Sequence, residues 1–212
     1  MDCKAVIFDL DGVIVCTDEC HYKAWKKMAD EEGIYFDRKI NERLRGVSRM
    51  ASLDIVLEKA EKSYSDDEKT ALATRKNDYY KEYIKTLSSN DILPGVMDFL
   101  NLLRSKGIKL AIGSSSKNTP AILENIGLNG FFDAVADGNQ ITRSKPDPEV
   151  FLLAAKLVGT DPSDCMVVED ADAGVEAALA GGMKVLGVGS ASSNKRATYT
   201  ACDIKEYLER IK

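Results

Sequence analysis

Short runs of uninterrupted apolar residues, separated by longer segments of helical periodicity, set the pattern of this chain. Ala5-Val6-Ile7-Phe8 is apolar at every position and stops at Asp9-Leu10-Asp11-Gly12. A strand solvated on one face alternates, so an unbroken run predicts a strand buried on both faces and followed by a turn. Comparable runs recur at 109–113, 134–136, 165–168 and 185–188, each parted from the next by a helical pattern. That alternation predicts an α/β fold with a doubly wound, Rossmann-like parallel sheet, in which ligands bind beyond the carboxyl ends of the strands.

The helices carry their own punctuation. Pro94-Gly95 opens a segment with Val96, Phe99, Leu100 and Leu103 at helical spacing, and Gly107 closes it. Asp147 is the expected N-cap, and Pro148 the first helical residue, of a segment carrying Val150, Phe151, Ala154 and Leu157. Pro120 falls in the first turn of another helix that Gly127 ends, and the segment Ala173 to Ala180 stops at Gly181-Gly182.

Between Thr17 and Ser89 the strand signal vanishes and the composition becomes helical and charged. Ser65-Asp66-Asp67-Glu68 has the form of a capping box, ahead of Leu72, Tyr79, Tyr80, Tyr83, Ile84 and Leu87. Glu19 to Glu31 and Ala51 to Ala60 are amphipathic. The expected organisation is a core of residues 1–15 and 92–212, interrupted by a small helical cap of residues 16–91, with hinges near Val15 to Thr17 and Asn90 to Pro94.

Composition narrows the partners. A chain of 212 residues suits one main core with a small insert. Its 34 acidic and 29 basic residues leave a charge of −5, which argues against nucleic acid or an anionic membrane as partner. Cys3, Cys16, Cys20, Cys165 and Cys202 form an odd set without CxxC spacing, and Met1 to Lys4 lead into a strand without a signal peptide, so a cytoplasmic location is expected. No apolar run reaches the length that spans a bilayer.

Candidate chemistry gathers at the strand ends. Asp9 and Asp11 stand one residue apart before Gly12; an aspartate can carry a phosphoryl group covalently, and a second carboxylate can shuttle the proton. A simple turn or a calcium loop shares this spacing, although Val13, Val15 and Thr17 do not supply calcium ligands. Ser114-Ser115-Ser116 offers a hydroxyl and amides to phosphate oxygens ahead of a helix, Lys145 offers a cation, and Glu169-Asp170 offers hard oxygens to Mg²⁺. Taken singly, these read as a turn, a solvated lysine and a helix cap. Taken together, each at a strand end, they form one constellation.

In Phe8-Asp9-Leu10-Asp11-Gly12-Val13, Gly113-Ser114-Ser115, Lys145-Pro146 and Val168-Glu169-Asp170 the chain resembles the haloacid dehalogenase-like superfamily over nearly its whole length. The resemblance implies that Asp9 is the nucleophile and Asp11 the general acid and base, with Ser114 and Lys145 holding the transferring phosphoryl oxygens. It also implies Mg²⁺ bound by a carboxylate oxygen of Asp9, the backbone carbonyl of Asp11 and Asp170, with Glu169 close by or acting through water.

The helical segment resembles the caps of the β-phosphoglucomutase family within that superfamily. The resemblance lies in His21 and Trp25, in Leu44-Arg45-Gly46-Val47-Ser48-Arg49 with Ser52, in Lys76, and in Ser116-Lys117-Asn118 of the core. It implies substrate-binding roles for His21, Trp25, Gly46, Val47, Ser48, Arg49, Ser52, Lys76, Ser115, Ser116 and Asn118. A mutase needs a second anion site, which the planar fork of Arg49 suits, supplemented by Ser116 and Asn118. Packing accounts for His21 and Trp25, on one helical face, about as well; the Lys76 stem is expected to lie along the cap surface.

The implied reaction interconverts β-glucose 1-phosphate and glucose 6-phosphate through an aspartyl phosphate, with glucose 1,6-bisphosphate as intermediate and activator, in a protein expected to be a monomer. The alternative with the same core is a sugar-phosphate phosphatase. A non-catalytic phosphosugar-binding module has no need of Asp9, Asp11, Lys145 and Asp170 together. The tail after Gly189 is short for the family, so an abbreviated or missing last strand is expected.

Overall fold

The computed structural model describes residues 3–44 and 47–211. The chain divides into two compact units, Met1–Cys16 with Ser88–Lys212, and Thr17–Leu87. The first unit therefore takes in Cys16 and residues 88–91, which the sequence pattern assigns to the cap. The 3-10 turn Ser89–Asp91 is closed by its own capping box, and Val15 and Ile92, at the two ends of the insert, bridge each other within the first unit.

The first unit is built on six parallel strands, β1 (Ala5–Phe8), β2 (Lys109–Gly113), β3 (Ala134–Ala136), β4 (Cys165–Glu169), β5 (Lys184–Gly187) and β6 (Tyr199–Thr200), in the order β3-β2-β1-β4-β5-β6. The last strand is abbreviated but present, pairing Leu186 with Tyr199 and Gly187 with Thr200. Its helices are α5 (Val96–Ser105), α6 (Thr119–Asn125), α7 (Glu149–Leu157), α8 (Asp172–Ala180) and α9 (Ile204–Ile211). The other unit holds α1 (Asp18–Glu31), α2 (Arg38–Glu42), α3 (Arg49–Leu57) and α4 (Asp66–Ile84).

Ala5 and Ile7 join Ala111, Val167 and Val185 in a core with Val150 and Phe151 of α7 and Val175 and Ala178 of α8. Phe8 turns the opposite way, meeting Phe99 of α5 edge-on at 6.0 Å, and Phe99 meets Tyr207 of α9 at 5.8 Å. Both faces of the sheet are thus covered, which is why its strands are apolar throughout. Phe8 is paired with Ile112 on one side and Val168 on the other, so Asp9, Gly113 and Glu169 emerge side by side. The chain winds outward from β1 to β3 and then restarts at β4, and the crevice of such a sheet opens at that reversal.

Four helix starts differ from the sequence pattern, those of α1 and α8 by a single residue each. α7 begins at Glu149 rather than Pro148, because the Asp147 carboxylate accepts the Glu149 N–H and holds the chain in a turn for one residue more. α3 spans Arg49–Leu57 instead of 51–60, started by Ser48, whose hydroxyl accepts the Ala51 N–H. α2 has no signature in the pattern, since five residues with one buried side chain, Ile40, are too short to display a period. The second unit has its own core of Trp25, Met28, Phe36, Leu53, Val56 and Leu72, and the Ser65–Glu68 capping box at the start of α4 is formed in both directions. No described helix is long and apolar enough to cross a membrane.

Candidate active site

Asp9 is the first residue beyond β1, and its N–H donates to Val168 O at 3.0 Å, pinning its peptide against β4. Its buried carboxylate receives the Lys145 ammonium, with Nζ at 2.6 Å from Oδ1. The same Nζ lies 2.8 Å from Oε2 of Glu169, the last residue of β4, which is 1% exposed. Glu169 Oε1 accepts the Ala171 N–H at 3.2 Å, so both of its oxygens are engaged. Carboxylate oxygens of Asp9, Glu169 and Asp170 all lie within 4.8 Å of one another.

Three carboxylates around one lysine leave a surplus of negative charge in a buried place. Burial by itself favours the neutral amine of Lys145, yet the flanking charges of Asp9 and Glu169 outweigh it and raise the pKa, keeping the ammonium charged. Burial pushes the Glu169 carboxyl up, with Asp9 adding to the effect and Lys145 opposing it. Burial likewise raises Asp170, reinforced by the charges of Glu169, Asp9 and Asp11. Clustered oxygen donors with excess negative charge fit a hard divalent cation. The fit extends to the backbone: Gly12 has φ 80°, and a Cβ there would stand 2.2 Å from Asp170 Oδ2, so the turn after Asp11 closes on that carboxylate only with glycine. With Glu169 occupied, Asp9 and Asp170 are the carboxylates best placed to bind an ion directly. The Asp11 side chain lies outside this trio, on the partly exposed turn.

Beyond β2, the Ser114 N–H donates to Ala136 O at 3.0 Å. Ser114 Oγ accepts the Ser116 N–H, and Ser116 Oγ accepts the Asn118 N–H, each at 3.2 Å. The serines therefore make a turn of their own, and α6 starts only at Thr119 rather than directly after them. Ser115 Oγ is buried and has no hydrogen-bond partner in the described residues.

In the helical unit, Lys76 is 3% exposed, which corrects the expectation that it lies along the surface. Its Nζ sits 2.9 Å from His21 Nδ1, 4.7 Å from the Trp25 ring centroid and 4.9 Å from that of Tyr80. Aromatic faces and an imidazole lone pair thus solvate a buried ammonium that a surface position would leave to water. Burial, followed by the charges of Lys76 and Arg49, holds the His21 pKa well below the usual imidazole value. Since an ammonium only donates, His21 accepts at Nδ1 and carries its proton on Nε2. The ring stacks on Tyr80 at 4.1 Å, and Tyr80 OH donates to Thr17 Oγ1 at 3.0 Å.

Trp25 belongs to the apolar core of this unit, where packing explains it without a ligand. Ser52 is buried and donates to Val47 O at 3.4 Å, whereas Val47 and the helix-capping Ser48 are exposed and Arg49 is partly so. Gly46 lies outside the described residues. Each unit therefore assembles part of the expected set: Asp9, Lys145, Glu169 and Asp170 in one, and His21, Lys76 and Arg49 in the other.

Residues 3–182 match the model of the haloacid dehalogenase-like hydrolases. The chain belongs to that family. Among curated proteins, it is 45% identical to the β-phosphoglucomutase of Bacillus subtilis over 188 residues, 88% of this chain and 83% of the relative. It is 32% identical to a phosphorylated carbohydrates phosphatase of Thermotoga maritima, over 85% of this chain and 82% of that one. Among solved structures, a β-phosphoglucomutase from Clostridium difficile superposes with a TM-score of 0.89 at 41% identity, covering 98% of this chain and 96% of its own.

Two supports of the haloacid dehalogenase-like centre carry no signal that the sequence motifs pick up. Glu149, in the first turn of α7, accepts from the N–H groups of Thr142 at 3.0 Å and Arg143 at 2.8 Å, closing the loop that presents Lys145. Gly174 lies beneath Glu169, and its one visible sign is a glycine inside an alanine-rich helical run.

Proposed function

We propose that this chain is a magnesium-dependent phosphomutase that interconverts β-glucose 1-phosphate and glucose 6-phosphate, carrying the phosphoryl group on Asp9. The observation that carries the reading is the buried Asp9 carboxylate at the reversal of the sheet, held by Lys145 at 2.6 Å. The greater likeness to the Bacillus mutase than to the Thermotoga phosphatase supports transfer to a sugar over transfer to water.

In the proposed cycle the phosphoryl group passes from Asp9 to O6 of β-glucose 1-phosphate, and Asp11 takes the hydroxyl proton. The bisphosphate then presents its 1-phosphate; an Asp9 oxygen attacks that phosphorus, the bond to O1 breaks, and Asp11 returns the proton to O1. Glucose 6-phosphate leaves and phospho-Asp9 is restored, with glucose 1,6-bisphosphate serving as the activator that loads the enzyme. Lys145 and Ser114 hold the transferring oxygens, offsetting repulsion between an anionic nucleophile and an anionic substrate. Asp9 and Asp170, with the Asp11 carbonyl, would hold Mg²⁺, which would further neutralise that charge. Within the helical unit the sugar phosphate is recognised by Arg49, His21 and Lys76, and within the sheet unit by Ser115, Ser116 and Asn118.

Phosphorus NMR of the protein with β-glucose 1-phosphate, Mg²⁺ and a trace of glucose 1,6-bisphosphate tests the proposal. Glucose 6-phosphate is expected to accumulate, and Asp9→Asn is expected to abolish its formation. Release of inorganic phosphate alone would establish the phosphatase instead.

A further inference from the structure

We infer that Gly174 is a positioning residue: the missing side chain there lets Glu169 lie against α8 and hold Lys145 on Asp9. A Cβ at position 174 would stand 2.0 Å from Glu169 Cδ, 2.2 Å from Oε2 and 2.3 Å from Cγ, distances no non-bonded atoms adopt. Glu169 has no room to yield, being 1% exposed with one oxygen on the Ala171 N–H and the other on Lys145 Nζ. Bulk at 174 therefore displaces the carboxylate, and the ammonium that it shares with Asp9 at 2.6 Å loses one of its two anchors.

The backbone gives no competing reason for the glycine. Gly174 is absent from the glycines with positive φ, and it lies within the first turn of a regular helix, Asp172–Ala180. Glycine weakens a helix relative to alanine, and the surrounding Asp-Ala-Gly-Val-Glu-Ala-Ala-Leu-Ala is otherwise rich in alanine. A residue that weakens its own helix here makes space for one of the two carboxylates that hold the lysine.

The kinetic part of this inference rests on the reading of Asp9 as the phosphoryl carrier, whereas its steric part stands on stability alone. The test is a double-mutant cycle of the full chain with Gly174→Ala, Glu169→Ala and both together. Melting temperature is measured without added metal, and turnover of β-glucose 1-phosphate with Mg²⁺ and a trace of glucose 1,6-bisphosphate. Gly174→Ala alone is expected to lower Tm and to lower kcat on the order of 100-fold, with KM changing much less. On the Glu169→Ala background the same substitution is expected to raise Tm by roughly 2 to 4 °C, as helix propensity requires, and to change kcat by less than about 3-fold.

That reversal of sign is something a general packing defect does not produce. Should Gly174→Ala fail to fold, recovery of folding in the double variant is the same result. An equal fall in Tm on both backgrounds, or a double variant that does not fold, overturns the proposal. Full turnover by Asp9→Asn would overturn the phosphoryl-carrier reading instead, and the Tm reversal would still decide the role of Gly174.

Discussion

Two carboxylates share one ammonium at the ends of β1 and β4, with a third close by, while in the helical unit a buried ammonium leans on an imidazole. The second arrangement makes a pH prediction. His21 has its pKa lowered on folding by burial, then by Lys76 and Arg49, so the unfolded chain binds a proton that the folded chain refuses. The stability it contributes is fully present above the unfolded value of about 6.5 and is lost as pH falls toward the folded one, by up to about 1.4 kcal/mol per pH unit within that window. The chain has a single histidine, which allows a clean subtraction. Denaturant midpoints of the unsubstituted protein and His21→Gln, compared between pH 7.5 and 5, are expected to converge as the pH falls; parallel curves would mean that His21 is protonated or solvated in the folded state. Trp25 and Lys76 teach a related lesson: their spacing on helical faces is visible in the sequence, but whether the polar tip of Lys76 reaches water depends on the aromatic rings packed over it.

At the scale of elements, local chemistry decides most boundaries. Ser65 and Glu68 start α4 through bonds between residues three apart, so that signal survives in the bare sequence, whereas the Ser48 cap of α3 has alanine in place of the glutamate and leaves no such signature. The loop carrying Lys145 is held differently. Glu149 reaches back six and seven residues to the N–H groups of Arg143 and Thr142, and Asp147 pairs with Arg143 at 3.1 Å. Those backbone bonds hold the Glu149 carboxyl below its ordinary pKa. Glu149→Ala frees two loop amides and removes the brace behind the lysine, so on the proposed role of Lys145 kcat is expected to fall by about 10-fold, consistent with a small misplacement of that group, while the urea midpoint shifts little. Steady-state kinetics beside urea unfolding will separate the two; a loss of stability without loss of kcat would show that Lys145 is placed by its carboxylate partners alone.

The whole molecule sets the charge balance of the centre, because parallel strands from distant parts of the chain bring Asp9, Lys145, Glu169 and Asp170 to one edge. Mg²⁺ binding to that cluster favours the folded state, and at about 100 times its dissociation constant it adds roughly 2.7 kcal/mol, a rise in Tm of roughly 5 to 10 °C. Scanning fluorimetry with EDTA and with excess Mg²⁺ measures this, and Asp170→Asn is expected to remove the shift; an unchanged Tm in both proteins would argue against a metal at this cluster. The sheet itself was legible beforehand, since strands buried on both faces must be apolar throughout and the helices between them must show a 3.6-residue period. So were the polar residues at the strand ends, where an abrupt change from apolar to acidic needs no partner to be seen. Folding alone decided which groups face one another: that Glu169 uses both oxygens on Lys145 and Ala171, that Lys76 is buried against His21, and that Gly12 and Gly174 clear space for carboxylates. The reason is physical. Periodicity and capping act over a few neighbouring residues and leave a trace in their order, whereas a shared ammonium, a buried ion or a steric vacancy exists only between segments that the chain has brought together.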